Sequence, residues 1–343
     1  MRENLENLFK MKKQKTAIKA GAFIDDAKKW SSIDWKHARR QVRRLQVRIA
    51  KAVKEGRWNK VKALQYLLTR SFYAKLLAVK RVTSNKGKKT PGIDGILWKG
   101  ARAKSRAACS LRRRGYRPQP LRRTYIQKKN GKKRPLSIPT MTDRSQQALY
   151  KLALAPVAEM AADGNSYGFR EARSCADAVQ AAFNELSKPN SATWVLEADI
   201  TGCYDNISKE WMLNNIPMDK VVLRKWLDAG YVENGITYPT RKGVPQGGII
   251  SPTLANMTLD GLEEAVRRAV PRRSRVNFIR YADDCAPRGC TRDEGWPLGA
   301  AMQVEAPNHL KLLWSKATVV SVEEKVPLDG IRCGPWRRAQ ANQ

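Results

Sequence analysis

Histidine is nearly absent from this chain: its 343 residues include only His37 and His309. Six cysteines are scattered along it, with no CxxC pair and no histidine nearby. A zinc site is therefore not expected, and the thiols are read as reduced, in a cytoplasmic protein. Long apolar runs are missing too. None approaches eighteen residues, so neither a membrane-spanning helix nor a membrane partner is expected. The first residues, MRENLENLFKMKKQK, lack the apolar core of a secretion signal. Carboxylates are the scarce charge: 31 Asp and Glu stand against 66 Lys and Arg, a formal net charge of +35. Hydrophobic residues at 42% exclude a disordered tail, and the length allows two or three subdomains with a core.

An excess of positive charge this large attracts polyanions and points to nucleic acid as the partner. Charge alone separates neither RNA from DNA nor an enzyme from a passive binder. Residues 36–83 read as long helices, with Val42, Leu45, Val47, Ile49 and Val53, then Val61, Leu64, Leu67 and Leu68, at broadly helical spacing. Their basic faces are either solvated or turned to phosphates. TSNKGKKTPGIDG (83–95) breaks the pattern and reads as an ordered loop. Residues 117–139 read as a hairpin: a strand over Thr124–Gln127, a basic turn over Lys128–Lys133 around Asn130-Gly131, and a return strand over Leu136–Ile138. Such a tip suits a triphosphate or a template backbone, or is an ordinary exposed turn. Helices are expected over 142–164, capped by Thr142 or Asp143, and over 175–187, 208–229 and Pro252–Val270. TWVLEADI (193–200) reads as a strand, 238–252 as a glycine-rich turn, and 276–286 as strand–turn–strand.

The chemistry is carried by three acids. Asp199 follows the strand residues Trp194–Ala198, where it either faces a crevice or caps the next helix. Asp283 and Asp284 follow the apolar Phe278-Ile279. Adjacent carboxylates repel each other; a tight turn that exposes both to water tolerates this, and a divalent cation reverses it. Hard oxygen ligands suit Mg²⁺, which keeps waters and takes substrate phosphates. Two such ions about 3.5–4 Å apart clamp an in-line phosphoryl displacement.

At YADD (281–284) the sequence resembles reverse transcriptases. LEADITGCYDNIS (196–208) is similar to their first palm motif and KGVPQGGIISPTLANMTLDGLE (242–263) to their second. TPGIDG, the KKNGKKRPLSIPT hairpin and SYGFREARSCADAV (166–179) resemble finger motifs of group II intron-encoded reverse transcriptases, so the likeness runs from about residue 30 to 284. The resemblance implies an RNA-directed DNA polymerase with group II intron RNA, an RNA template, a DNA primer and dNTPs as partners. It implies that Asp199, Asp283, Asp284 and the carbonyl of Ile200 hold two Mg²⁺ ions, with Mn²⁺ able to substitute. Tyr204 would be the steric gate against the ribose 2′-hydroxyl. Gln246 and Gly247 would lie at the incoming nucleotide, Lys128 and Arg134 on its triphosphate, and Phe169, Arg170 and Arg173 on the template. Lys316, in LKLLWSKATVVSVEE, would donate a proton to pyrophosphate.

The resemblance also implies an α+β fold of right-hand fingers and palm, the palm an antiparallel sheet with helices. The expected division is a basic extension over 1–35, fingers over 36–190, palm over 191–325 and an irregular tail over 326–343, with the thumb or maturase domain largely absent. After YADD the family continues with an apolar strand; here Cys285-Ala286-Pro287-Arg288-Gly289-Cys290 follows, and a proline is poor in a paired strand. One alternative is a catalytically defective, RNA-binding maturase remnant. Another is a signalling cyclase with a similar palm, which would have no use for the basic hairpin or for VPQGG.

Overall fold

The helical pattern at 36–83 resolves into three helices, because glycine and serine interrupt it. Helix α1 spans Trp35–Lys54, α2 Trp58–Arg70 and α3 Phe72–Ser84. Asp34 caps α1 by accepting from the His37 N–H at 2.9 Å, and Gly56, at φ 66°, turns the chain before α2. Ala38, Val42, Ile49 and Ala52 bury one stripe of α1, leaving Arg39, Arg40, Arg43, Arg44 and Arg48 exposed. The buried stripes meet in one core with Leu64, Leu68, Val79, Val82, Leu149 and Val157. Truncating a residue such as Leu68 to alanine there would cost about 2–5 kcal/mol.

The computed structural model describes residues 28, 30–127, 131, 133–187, 194–200, 202–241, 243–269, 277–289 and 314–321. After α3 a single 3₁₀ turn, Lys86–Lys89, leads into the 90–95 loop. Arg144 fixes that loop, donating from Nη1 to the Gly87 carbonyl at 2.9 Å and from Nη2 to the Thr90 carbonyl at 2.5 Å. Gly92 lies so close to Thr140 that a Cβ would fall 2.5 Å from its Cα. Helix α4 is Ala101–Ser110. The hairpin is longer than its sequence signal: β1 is Leu121–Gln127 and β2 is Lys133–Ile138. Helix α5, Met141–Ala161, starts earlier than expected. Thr140, and not Thr142 or Asp143, is its cap: the Thr140 hydroxyl accepts from the Asp143 N–H at 3.1 Å and donates to the Asp143 carboxylate at 2.7 Å.

Helix α6, Cys175–Leu186, has a capping box between Ser174 and Asp177. Strand β3 is Trp194–Ile200, followed by the short α7, Cys203–Asn206. The helix expected over 208–229 is two, α8 (Lys209–Asn215) and α9 (Lys220–Leu227). Pro217 lies at the break, where it lacks an N–H and keeps Ile216 out of the helical region; Asp219 caps α9. A second hairpin follows: β4, Tyr231–Glu233, and β5, Ile236–Tyr238. Its turn has Asn234 at φ 50° and Gly235 at φ 81°. The helix expected over 252–270 is also two, α10 (Ser251–Leu259) and α11 (Leu262–Ala269), separated at Gly261, φ 93°.

Two four-stranded sheets result, in the orders β2-β1-β4-β5 and β6-β7-β3-β8. The second is antiparallel throughout and is built with β6 (Asn277–Tyr281), β7 (Asp284–Gly289) and β8 (Trp314–Ser321). Pro287 corrects the expectation for its segment: it stands in β7, paired with Phe278 of β6. On the β3 side the ladder pairs Val195 with Arg288 and Ala198 with Cys285, leaving no pair at Pro287. The gap falls where the missing N–H would have donated. The chain forms two compact units, one of residues up to Met160 with Pro217–Arg241 and Pro245–Ser251, the other of Ala161–Ile216, Lys242–Val244 and the residues from Pro252 on. Among the described residues no helix is long and apolar enough to cross a membrane.

Candidate active site

Strands β6 and β7 are joined by two residues, Ala282 and Asp283, with Tyr281 paired to Asp284 across the hairpin. Ala282 has φ 62°. A positive φ at the first turn position matches the twist of the flanking strands, which is why two-residue hairpins favour it; for a residue with a Cβ it stores strain of about 1–3 kcal/mol. In the neighbouring ladder Asp199 of β3 stands opposite Asp284, and the Ile200 N–H donates to the Asp283 carbonyl at 3.4 Å. Residues distant in sequence thus come together in one hairpin and its neighbour: Asp199 and Asp284 in register, Asp283 in the turn beside them. On the other side of β3, Lys316 of β8 pairs with Asp199, just before a register shift between Asp199 and Ile200.

Asp283 is partly exposed and Asp284 exposed, so water and ions reach both. Asp199 is placed by its backbone; among the described side chains no three His, Cys, Asp or Glu groups form a metal-holding set. Aspartate oxygens are hard donors, which suit Mg²⁺ better than a soft metal. Cys285, next in sequence, is buried, and burial pushes its thiol up to about 12.

The acidic turn is braced from behind. Residues 165–168 run alongside β6, with the Arg280 N–H donating to the Asn165 carbonyl and the Tyr167 N–H to the Arg280 carbonyl, each at 2.9 Å. Gly168 presses on the turn itself: a Cβ there would lie 2.4 Å from the Ala282 nitrogen. Arg280 is fully buried. Its Nη2 donates to the Asp260 carboxylate at 2.8 Å, and its Nη1 to the Asn256 amide oxygen and the Ala282 carbonyl, each at 3.3 Å. Burial pushes the Asp260 carboxyl up to about 7, although Arg280 pulls it down. None of these braces stands out in the sequence; an arginine inside the apolar strand FIRY is the available signal.

Tyr204 lies in α7 and is partly buried. Its carbonyl accepts from the Val244 N–H at 2.7 Å, and a Cβ on Gly243 (φ 72°) would lie 2.3 Å from that oxygen. The start of the VPQGG motif is therefore packed on the backbone of the expected gate residue. Phe169 is exposed, at φ 59°. Arg170 and Arg173 turn inward: Arg170 Nη1 donates to the Asp163 and Ser166 carbonyls at 2.6 and 2.9 Å, Arg173 Nη1 to Gly164 and Ser166 at 2.6 and 3.1 Å.

In the other unit, Arg134 on β2 donates from Nε to the Gln246 side-chain oxygen at 3.1 Å, and the Ser137 N–H donates to the Gln246 carbonyl at 2.7 Å. Gly247 has φ 117°, and a Cβ there would fall 2.3 Å from the Ser137 carbonyl oxygen. The PQGG turn thus lies directly on the hairpin strand. Gln147 on α5, which no sequence signal marks, holds the far end of that turn by accepting from the Ile249 N–H at 2.8 Å. Lys128 lies outside the described residues.

Two family models match the chain. One, described as the N-terminal domain of reverse transcriptase, matches residues 30–111; the other, described as reverse transcriptase (RNA-dependent DNA polymerase), matches residues 126–323. The group II intron-encoded protein LtrA of Lactococcus lactis subsp. cremoris is 38% identical over 214 residues, covering 59% of this chain and 34% of LtrA. Protein YkfC of Escherichia coli (strain K12) is 33% identical over 198 residues, covering 54% of this chain and 52% of YkfC. The chain therefore spans only part of the curated relatives it matches. A solved telomerase from Candida albicans overlays with a TM-score of 0.45 at 11% identity, over 61% of this chain and 42% of that one.

Proposed function

Because the chain belongs to the reverse transcriptase (RNA-dependent DNA polymerase) family, we propose that it is an RNA-directed DNA polymerase of the group II intron type, adding dNTPs to a primer 3′-hydroxyl on an RNA template. The observation that carries this reading is the register of Asp199 opposite Asp284, with Asp283 in the adjoining turn. These carboxylates, with the carbonyl of Ile200, are assigned to two Mg²⁺ ions, for which Mn²⁺ can substitute. Bound there, the ions would lower the pKa of the attacking hydroxyl and neutralise the leaving pyrophosphate.

The chain's own groups divide the remaining work, which in phosphoryl transfer is positioning and charge neutralisation. Arg134, with Lys128, is assigned the triphosphate, its planar fork suiting phosphate oxygens. Gln246 and Gly247 are assigned the incoming nucleotide. Tyr204 excludes the 2′-hydroxyl by occupying the space below the sugar. Phe169 is offered to the template, and Arg170 and Arg173 serve that contact by holding its loop. Lys316 is assigned the proton to pyrophosphate. The exposed arginines of α1 support a second role for the same molecule, binding intron RNA through its phosphates.

Primer extension with dNTPs on an RNA template tests the reading. Magnesium-dependent extension, lost in Asp283→Asn, is expected. Tight RNA binding with no incorporation would replace it with the catalytically defective RNA-binding protein.

A further inference from the structure

Arg280 is the largest fully buried side chain among the described residues, and it is charged. A guanidinium out of water is expensive unless its donors are matched, yet its Nε has no hydrogen-bond partner among the described residues. An aliphatic side chain would fill the place at lower cost. The donors that are matched point one way. Nη2 is anchored on Asp260, just past the end of α10, and Nη1 reaches both Asn256 and the carbonyl of Ala282, the left-handed residue of the acidic turn. Asn256 also donates to the Gly168 carbonyl at 2.7 Å, and Gly168 touches the Ala282 nitrogen side of the same peptide segment. One strained residue is thus gripped at its carbonyl by Arg280 and packed at its nitrogen by Gly168, with Asn256 tying the two grips together. Strained conformations persist where the surroundings over-determine them, and Asp283 is the next residue.

We propose that Arg280 is a positioning residue for the metal-binding turn: with Asn256 and Gly168 it locks Ala282, and so presets the Asp283 carboxylate for its cation before nucleic acid or nucleotide binds. The inference rests on the assignment of Asp283 as a metal ligand. It differs from a plain core ion pair, which would stabilise the fold and leave the affinity for metal unchanged.

The test measures Mn²⁺ binding directly, by the electron paramagnetic resonance of free Mn²⁺, with thermal melting and circular dichroism on the same samples. Arg280→Lys keeps the charge and removes the fork; Gly168→Ala pushes a methyl group onto Ala282 from the other side. Each is expected to weaken Mn²⁺ binding about tenfold or more, the scale on which groups supporting metal ligands count, with native circular dichroism. The Mg²⁺ concentration for half-maximal primer extension should rise in parallel. If both variants fold, melt earlier and bind Mn²⁺ like the unaltered protein, Arg280 is only a core ion pair and the inference is wrong. If Arg280→Lys does not fold, Gly168→Ala decides by the same two outcomes. Asp283→Asn separates the two levels. Its loss of Mn²⁺ binding beside an unchanged Gly168→Ala overturns the positioning role alone, whereas unchanged binding in Asp283→Asn removes the ligand assignment and the inference with it.

Discussion

Asp199 stands directly across the β3–β7 ladder from Asp284, although 84 residues separate them in sequence. Two like charges in register on adjacent strands destabilise a sheet unless something compensates them. Replacing Asp199 or Asp284 by asparagine is therefore expected to leave stability unchanged or raise it slightly. The same variants should lose primer extension by at least about a hundredfold, the scale of a lost electrostatic stabiliser. Melting curves and extension rates on one set of proteins check both halves.

Gly247→Ala tests the turn lying on the hairpin. The Cβ would meet the Ser137 carbonyl at 2.3 Å in a backbone at φ 117°, so the turn must shift. The expected outcome is a KM for dNTP raised between about tenfold and a hundredfold, as for a small displacement of a positioning group, with binding of primer–template unaffected in a filter assay.

Tyr204→Val should relax sugar selection. Removing the ring opens the space assigned to the 2′-hydroxyl, and steric discrimination of this kind is worth about 10–200-fold. Competition between ribo- and deoxyribonucleotides in single-nucleotide extension reads the ratio directly; an unchanged ratio removes the gate assignment.

Stability should depend on pH through Asp260. Burial pushes its folded-state value up to about 7 from an ordinary 3.8, against the pull of Arg280 and Arg170. The folded protein thus holds this proton more tightly than the unfolded chain. That contribution to stability is fully present below about pH 3.8 and is lost as pH rises through about 7. Asp260→Asn should show a smaller fall in unfolding free energy between pH 4 and 7 than the unaltered protein, measured by urea titration.

Arg40→Gln combined with Arg44→Gln should weaken RNA binding without touching primer extension on a short oligonucleotide duplex. For every single-strand phosphate that the variant no longer neutralises, the plot of log affinity against log salt should become shallower by about 0.7.

Much of the fold and the acidic site is legible in the sequence because the signals are local. The apolar stretch before Asp283, the strand that carries Asp199 and the two strands of the first hairpin each state their structure within a few residues; the Asn130-Gly131 turn expected between those strands falls largely outside the described residues. The Asn234-Gly235 turn between β4 and β5 carries the same signal but is easily missed, because each flanking strand is only three residues long. The single helices read over 208–229 and 252–270 fail at Pro217 and Gly261, where periodicity continues but the backbone cannot. Pro287 fails in the other direction: a proline is compatible with an inner strand when the ladder on one side drops the pairs at Pro287 and its neighbour Ala286. Arg280 and Gly168 are invisible as a pair because their meaning lies in contacts such as that of Gly168 with Ala282, over 114 positions of chain, and no pattern in a window reports those.

The interleaving of the two units bears on how the chain is made. β1 and β2 leave the ribosome long before β4 and β5, the strands that complete their sheet. In between comes the segment from Ala161 to Ile216, which belongs to the other unit. The first sheet therefore waits, with the β1 edge uncovered, until β4 has been translated through Glu233, and aggregation of nascent chains should be worst for ribosomes stalled in that interval.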